Sequence, residues 1–432
     1  MLVSVRSSSP RGARALQDRL AAAGVEAAAL IGPAARRRAP AEDIALLDAS
    51  PDERAWAVAT AHRLADETAA PSAIVAVSAF DAPPTGDDDP FDGWIQLDGP
   101  PALMQRDLRA ARRAVTAREE LTLRHLTAHT LGAPLGETAA PGGWRALYIG
   151  EPHPFFLALE RALASRGGRL EAAFSSFMGF DFLHEDRFDA VALNAGADAA
   201  TALALCGALR RNARLHHLPT IMLADDNAAE ITPAAVERGA SLILGRDADR
   251  VHALAWTFDK IRRGRREAQV EAGLAAVRTA FAGPSSLFSS AFLEAHIERL
   301  SDASHASGRP LSLAALRVQL APGARRASAS GWRRGLYQVS EIAGRLIRVE
   351  DTAALLDGDL IVIALPGAGA AEARATAERV ASVTECTAFA AGEADAGPIV
   401  LEQIVSELAA GESGAGLLAR TRAEFDLSDV RA

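Results

Sequence analysis

Apolar and polar positions along this chain keep switching between two periods. Short apolar runs, MLVSV, DIALLDA and AIVAVSAF, read as buried strands, and GWIQLD follows them as another. Between them ARALQDRLAAAG, stopped at Gly24, and PDERAWAVATAHRLAD carry the 3.6-residue period of amphipathic helices. A long helix, predicted from Pro101 to Leu131, closes this first unit. Strands alternating with helices predict a largely parallel, doubly wound sheet.

GAPLGETAAPGG, Gly132 to Gly143, predicts a linker by composition. The alternation then restarts with RALYIG, FFLALERALASRGG, LEAAFSS, FDAVALNA, ATALALCGALRRNARL, PTIMLAD and ASLILGR. A long helix follows, passing through KIRRGRREAQVEAGLAAVRTAF to a break at AGPSS. From Leu287 a third unit begins with the helix SSAFLEAHIERLSDASHASGRP, the strand LSLAALRVQ and the helix YQVSEIAGRLI. It continues in a hairpin whose turn is Asp357-Gly358, a dipeptide suited to positive φ. The domain boundaries that result are 1–131, 144–266 and 284–432.

A chain of 432 residues exceeds one ordinary core, which agrees with this division. Its 49% hydrophobic and 23% charged residues describe soluble, globular protein. The net charge of −9 argues against a DNA binder, because neutralising phosphates needs clustered excess lysine and arginine. There is no apolar run long enough for a membrane span, and MLVSVRSSSPRG lacks a secretory signal's apolar region, so a cytoplasmic location is expected. The two cysteines, Cys206 and Cys386, are both expected to be buried and are too few for a disulfide framework or a zinc site.

Particular residues at strand ends carry more information. Asp48 ends IALLD, and Ser78 lies in AIVAVSAF. In the third unit Arg348-Val349-Glu350-Asp351 precedes Asp357-Gly358-Asp359-Leu360-Ile361, and Arg379 sits in TAERVAS beyond it. In this order the residues resemble two response-regulator receiver domains followed by a GGDEF domain. That is the architecture of the PleD-like regulators and of their catalytically degenerate, PopA-like branch. The resemblance implies an α/β fold of two flavodoxin-like receiver domains followed by a GGDEF-type, nucleotidyl-cyclase-like α/β domain.

It also implies roles, residue by residue. In the first receiver Asp48 matches the phosphoacceptor and Ser78 the hydroxyl. Arg6, Ser7 and Ser8 stand where an acidic pair should hold Mg²⁺, and Leu97 or Asp98 where a lysine belongs, so the metal lacks hard oxygen ligands. In the second receiver Asn194 replaces the acceptor, Ala224 the hydroxyl and Arg246 the lysine, and only Glu151 is left of the acidic pair. An amide cannot form an acyl phosphate, so an adaptor for packing or dimerisation, and a homodimer, are implied. In the third domain Arg317 and Gln319 replace metal-binding aspartates and Leu336 a guanine-binding one. The remnant loop Asp357, Gly358, Asp359 keeps one glycine, and Asp359 alone cannot assemble a two-metal site. The expectation is therefore no cyclase activity and no cofactor.

What remains matches the family's inhibitory site, R-x-x-D with a later arginine, which takes cyclic di-GMP. Arg348 and Arg379 can each donate two parallel hydrogen bonds to guanine O6 and N7, and Asp351 can accept from the N1–H and N2–H edge. Arg169 is the nearest candidate for a further arginine from a receiver. The implied function is an inactive cyclic di-GMP effector and scaffold at a cell pole, recruiting an RcdA-type adaptor so that ClpXP degrades the cell-cycle regulator CtrA. The alternatives are a divergent diguanylate cyclase and a ligand-free receiver scaffold.

Three further patterns read as structural. GAGAAEA, from Gly367, lacks the third glycine of a dinucleotide fingerprint and predicts a strand-to-helix turn. His125 and His129 share a helix face without a protease signature and predict a solvated surface. KIRRGRRE predicts a charged face on an inter-domain helix, and no helix-turn-helix unit follows it.

Overall fold

The computed structural model describes residues 3–36, 43–66, 73–84, 90–133, 135–136, 142–212, 214–225, 228–320, 329–387 and 399–429. Half of the predicted linker 132–143, and residues 321–328 of the loop before Leu336, lie outside them. The chain divides into two compact units. The first is built mainly of Met1–Thr68, Ser72–Ala114 and Ala139–Gln269, and the second of Val115–Thr138 and Val270–Ala432.

In the first unit β1 (Val3–Ser7), α1 (Pro10–Ala22), β2 (Ala27–Ile31), β3 (Ile44–Asp48), α2 (Arg54–Asp66), β4 (Ala73–Ser78) and β5 (Gly93–Gln96) lead into α3 (Pro101–Thr130). The strands form a parallel sheet of order β2-β1-β3-β4-β5, the flavodoxin-like order. The second sheet follows from β6 (Arg145–Ile149), α4 (Pro154–Ala164), β7 (Arg169–Ala173), α5 (Ser176–Glu185), β8 (Ala190–Asn194), α6 (Ala199–Arg211), β9 (Thr220–Asp225), α7 (Ala228–Glu237) and β10 (Leu242–Gly245). Its order, β7-β6-β8-β9-β10, repeats the first. The central strands β3 and β4 are buried throughout, as near-continuous apolar runs in a sheet covered on both faces should be.

Several elements carried no usable sequence signal. β2 is an alanine-rich edge strand of intermediate exposure, and alanine is a weak strand former. α5 and α7 are short, and α7 contains Pro233.

The basic run corrects its prediction. It lies in α8 (Arg250–Ala280), and there Lys260 and Arg263 are buried rather than solvated. Lys260 Nζ donates to Asp107 Oδ2 at 2.9 Å and to the Trp94 carbonyl at 3.3 Å, while Arg263 Nη2 donates to the Asp107 carbonyl at 3.1 Å. Trp256 Nε1 donates to the Phe80 carbonyl at 3.0 Å. Five arginines and lysines among eight residues looked like a surface, but Lys260 and Arg263 find partners on α3 and β5, and Arg265 bonds Asp189 at 2.7 Å. One hydrophobic core therefore contains Trp94 and Phe91 of the first sheet's domain together with Tyr148 and Trp256 of the second.

The second unit holds α9 (Ser290–Ser307), β11 (Leu311–Leu320), α10 (Ala329–Leu346), β12 (Thr352–Leu356), β13 (Leu360–Pro366), α11 (Ala370–Cys386), β14 (Ile399–Glu407) and α12 (Gly414–Asp429). Its sheet is antiparallel, β12-β13-β11-β14, and GGDEF-like in arrangement. Asp357 and Gly358 at the hairpin turn take φ of 48° and 81°, the positive values that an Asp-Gly turn allows. Cys386 is exposed, contrary to expectation, because it ends α11 on that helix's outer side; Cys206 is buried.

Candidate functional site

Arg348 to Asp351 forms the turn between α10 and β12. The Arg348 N–H donates to Asp351 Oδ2 at 2.7 Å, and the Asp351 N–H to the Arg348 carbonyl at 3.1 Å, so the R-x-x-D spacing closes on itself. Arg348 is exposed. Arg379 is exposed on α11, and its Nη2 donates to the Leu346 carbonyl at 3.0 Å, which brings it to the same corner. Asp351 is only 5% exposed. Burial, then the neighbouring charge of Glu350, pushes its carboxyl up to about 7, against the Arg348 amide and guanidinium. Arg169 lies in the first unit at the start of β7, paired with Glu171 at 3.1 Å.

A buried polar group that the sequence reading missed lies under this turn, all of it in the second unit. Glu120 Oε1 accepts from Arg124 Nε at 2.7 Å, His296 Nε2 at 2.9 Å and Thr352 Oγ1 at 3.0 Å. Arg124 Nη2 in turn donates to the Asp351 carbonyl and to Thr352 Oγ1, both at 3.0 Å. The Thr127 hydroxyl donates to the Leu123 carbonyl and lies 2.9 Å from His296 Nδ1, so both imidazole nitrogens have a polar neighbour. Burial would raise the Glu120 carboxyl, but the charges of His296 and Arg124 prevail and hold it at about 2. The one sequence signal was an i,i+4 Glu–Arg pair, which ordinarily marks a solvated helix face.

On β11, Arg317 pairs across the ladder with Leu360 and with Glu402, and its guanidinium lies 4.6 Å from the Phe425 ring centre. Gln319 Nε2 donates to Glu402 Oε2 at 3.1 Å. Burial raises the Asp359 carboxyl, and the charge of Arg317 opposes it. Asp357 pairs with Arg422 at 3.4 Å. Among the described residues no cluster of histidine, cysteine and carboxylate side chains could hold a metal ion, and His125 and His129 are part of none. Gly367 takes φ of 73° and Glu407 accepts from the Ala370 N–H at 2.7 Å, so the start of α11 is occupied by a carboxylate of the protein itself.

At the end of β3 in the first parallel sheet, Asp48 is 8% exposed. Its Oδ2 accepts from the Ser7 hydroxyl at 3.3 Å and its Oδ1 from the Ser50 N–H at 3.1 Å. A Cβ at position 12 would lie 2.3 Å from Oδ2, so only glycine lets α1 approach this carboxylate. Ser8 bonds Glu53 through both its amide and its hydroxyl, and Ser78 Oγ donates to the Ala82 carbonyl at 2.6 Å instead of facing Asp48. Acetyl phosphate with Mg²⁺ is therefore expected to leave the chain's intact mass unchanged; a mass gain of one phosphoryl group that Asp48→Asn abolishes would contradict this.

At the end of β8 in the second parallel sheet, Asn194 Nδ2 donates to the Glu151 carbonyl at 2.9 Å, and Asn194 Oδ1 accepts from the Gly196 N–H at 2.9 Å. Beside it His153 Nδ1 accepts from the Phe155 N–H, leaving Nε2 to donate to Asp225 Oδ1 at 2.9 Å. This His–Asp pair, unread in the sequence, involves the residue that directly follows Ala224.

No protein-family model matches the chain, and no curated protein does. Among solved structures, the GGDEF domain of DgcB from Caulobacter crescentus in complex with c-di-GMP is 18% identical, with a TM-score of 0.30 over 35% of this chain and 88% of that one. A putative response regulator from Chloroflexus aurantiacus is 19% identical, with a TM-score of 0.26 over 28% and 98%. The active GGEEF domain of a diguanylate cyclase from Vibrio cholerae is 15% identical, with a TM-score of 0.27 over 30% and 83%. Each is similar to one part of the chain.

Proposed function

We propose that the chain is a catalytically inactive cyclic di-GMP effector that binds its ligand at Arg348, Asp351 and Arg379. The observation that carries this reading is the corner itself, where Arg379 is tied to the Leu346 carbonyl two residues before Arg348. Two exposed guanidinium forks are thereby available to one ligand with two guanines and two phosphates, with the largely buried Asp351 carboxylate in the same turn. Arg317 and Gln319 at the metal positions favour an effector over a divergent cyclase. In this reading the liganded chain, as a homodimer, recruits an RcdA-type adaptor and directs CtrA to ClpXP at a cell pole, with the first receiver as the partner surface.

Calorimetry with cyclic di-GMP tests the ligand. Wild-type protein is expected to bind at micromolar concentration, and Arg348→Ala to bind at least about tenfold more weakly, having lost two charge-assisted hydrogen bonds. Absence of binding heat in the wild type refutes the effector reading, and equal binding by both proteins places the site elsewhere. Incubation with GTP and Mg²⁺ is expected to yield no cyclic di-GMP; product would favour the cyclase.

A further inference from the structure

We propose that Arg124 is a positioning residue for the ligand turn, holding Arg348 and Asp351 in place through the Asp351 carbonyl. The inference rests on the effector reading for its ligand. Its geometry lies wholly within the second unit.

The ladder of β12 begins at Thr352, paired with Ala364, and β12 is an edge strand. Asp351 is the last residue before that ladder, so its carbonyl has no strand partner and is buried with the rest of the residue. Arg124 Nη2 supplies the missing donor at 3.0 Å and binds Thr352 Oγ1 at the same distance. The guanidinium is fixed from behind by Glu120 and lies 5.0 Å from the Phe288 ring centre, while Phe288 N–H bonds the Ala353 carbonyl at 2.9 Å on the same edge. Arg124 is 1% exposed, so it cannot touch a ligand arriving at the exposed Arg348. Whatever it contributes to binding must pass through the turn's backbone. The turn's own bonds, Arg348 N–H to Asp351 Oδ2 and Asp351 N–H to Arg348 O, close the loop but do not fix its direction relative to Arg379. The bond from Arg124 does so, because it anchors the end from which β12 departs.

The test is calorimetry with cyclic di-GMP on the full chain, comparing Arg124→Met, Arg124→Lys and Arg348→Lys, alone and combined, each first checked for folding by circular dichroism. Arg124→Met is expected to weaken binding about ten- to hundredfold, the range of a charge-assisted hydrogen bond. Arg124→Lys, which keeps a single donating ammonium, should recover part of this. The losses from Arg124→Met and Arg348→Lys should be non-additive, because both act on one turn. Wild-type affinity in Arg124→Met, or strictly additive losses, overturns the proposal. A second arm needs no ligand: amide hydrogen exchange at Asp351 and Thr352 should accelerate in Arg124→Met and largely recover in Arg124→Lys. If wild type binds no cyclic di-GMP, the effector reading is what fails. The exchange arm then decides alone whether Arg124 holds the turn, and unchanged exchange refutes it.

Discussion

Glu120→Leu is expected to destabilise the second unit by about 3–5 kcal/mol, the usual result of removing one partner of a buried ionic group. One oxygen of Glu120 serves Arg124, His296 and Thr352, and all four residues are at most 1% exposed. Leucine fills similar volume but leaves the Arg124 guanidinium without a counter-charge and the His296 imidazole without its carboxylate partner. The pH dependence can be worked out in sign. Glu120 is held at about 2 against an ordinary 4.5, so the stability it contributes is present above pH 4.5 and is lost as pH falls through 2. That difference amounts to about 3 kcal/mol. Asp351 acts in the opposite sense: raised from 3.8 to about 7, it contributes stability fully present below 3.8 and lost as pH rises through 7. Urea unfolding of the second unit should therefore show greatest stability at about pH 4–5. In Glu120→Leu the fall on the acid side should flatten, and an unchanged acid limb would show that Glu120 is not the group responsible.

Lys260→Met is expected to have the corresponding effect in the first unit, destabilising it by about 3 kcal/mol. Methionine keeps the length and apolar stem of lysine, so a cavity does not explain the loss. What remains is Asp107, whose carboxyl burial would raise but which Lys260, then Arg263 and Arg106, hold below its ordinary value. Urea denaturation is the measurement, and Lys260→Met combined with Asp107→Leu should recover most of the stability. If the double variant is no better than the single one, the ion pair is not the source of the loss.

The repeated strands were legible because each is a buried, nearly unbroken apolar run, as in IALLD and AIVAVS. The alternation of elements then pointed to two doubly wound parallel sheets, and the family resemblance to their flavodoxin-like order. The edge strand Ala27–Ile31 and the helices at Ser176 and Ala228 were not legible, since the strand is alanine-rich, the first helix is only ten residues with Gly179 inside it, and the second contains Pro233. At the site, the family resemblance singled out the R-x-x-D spacing of Arg348 and Asp351; that the two close one turn is seen only in the local hydrogen bonds. Nothing local indicated that Asp351 is buried. Its burial depends on Glu120, Arg124 and His296, which lie 231, 227 and 55 positions away by subtraction of residue numbers. The basic run in α8 misled for the same reason, because its acidic partner is on a helix far back in the chain.

The helix α3 bears on how this protein can be taken apart. Residues Val115–Thr138 belong to the second compact unit although the chain returns to the first at Ala139. A fragment starting at residue 284 would carry the whole antiparallel sheet and the R-x-x-D turn, yet it would lack Glu120, Arg124 and Thr127. His296 and the Asp351 carbonyl would then be left without the groups that satisfy them. The third domain is not a detachable cassette, then: part of it is encoded before the second parallel sheet. Any recombination that exchanged only the C-terminal segment would bring in a domain without its own floor.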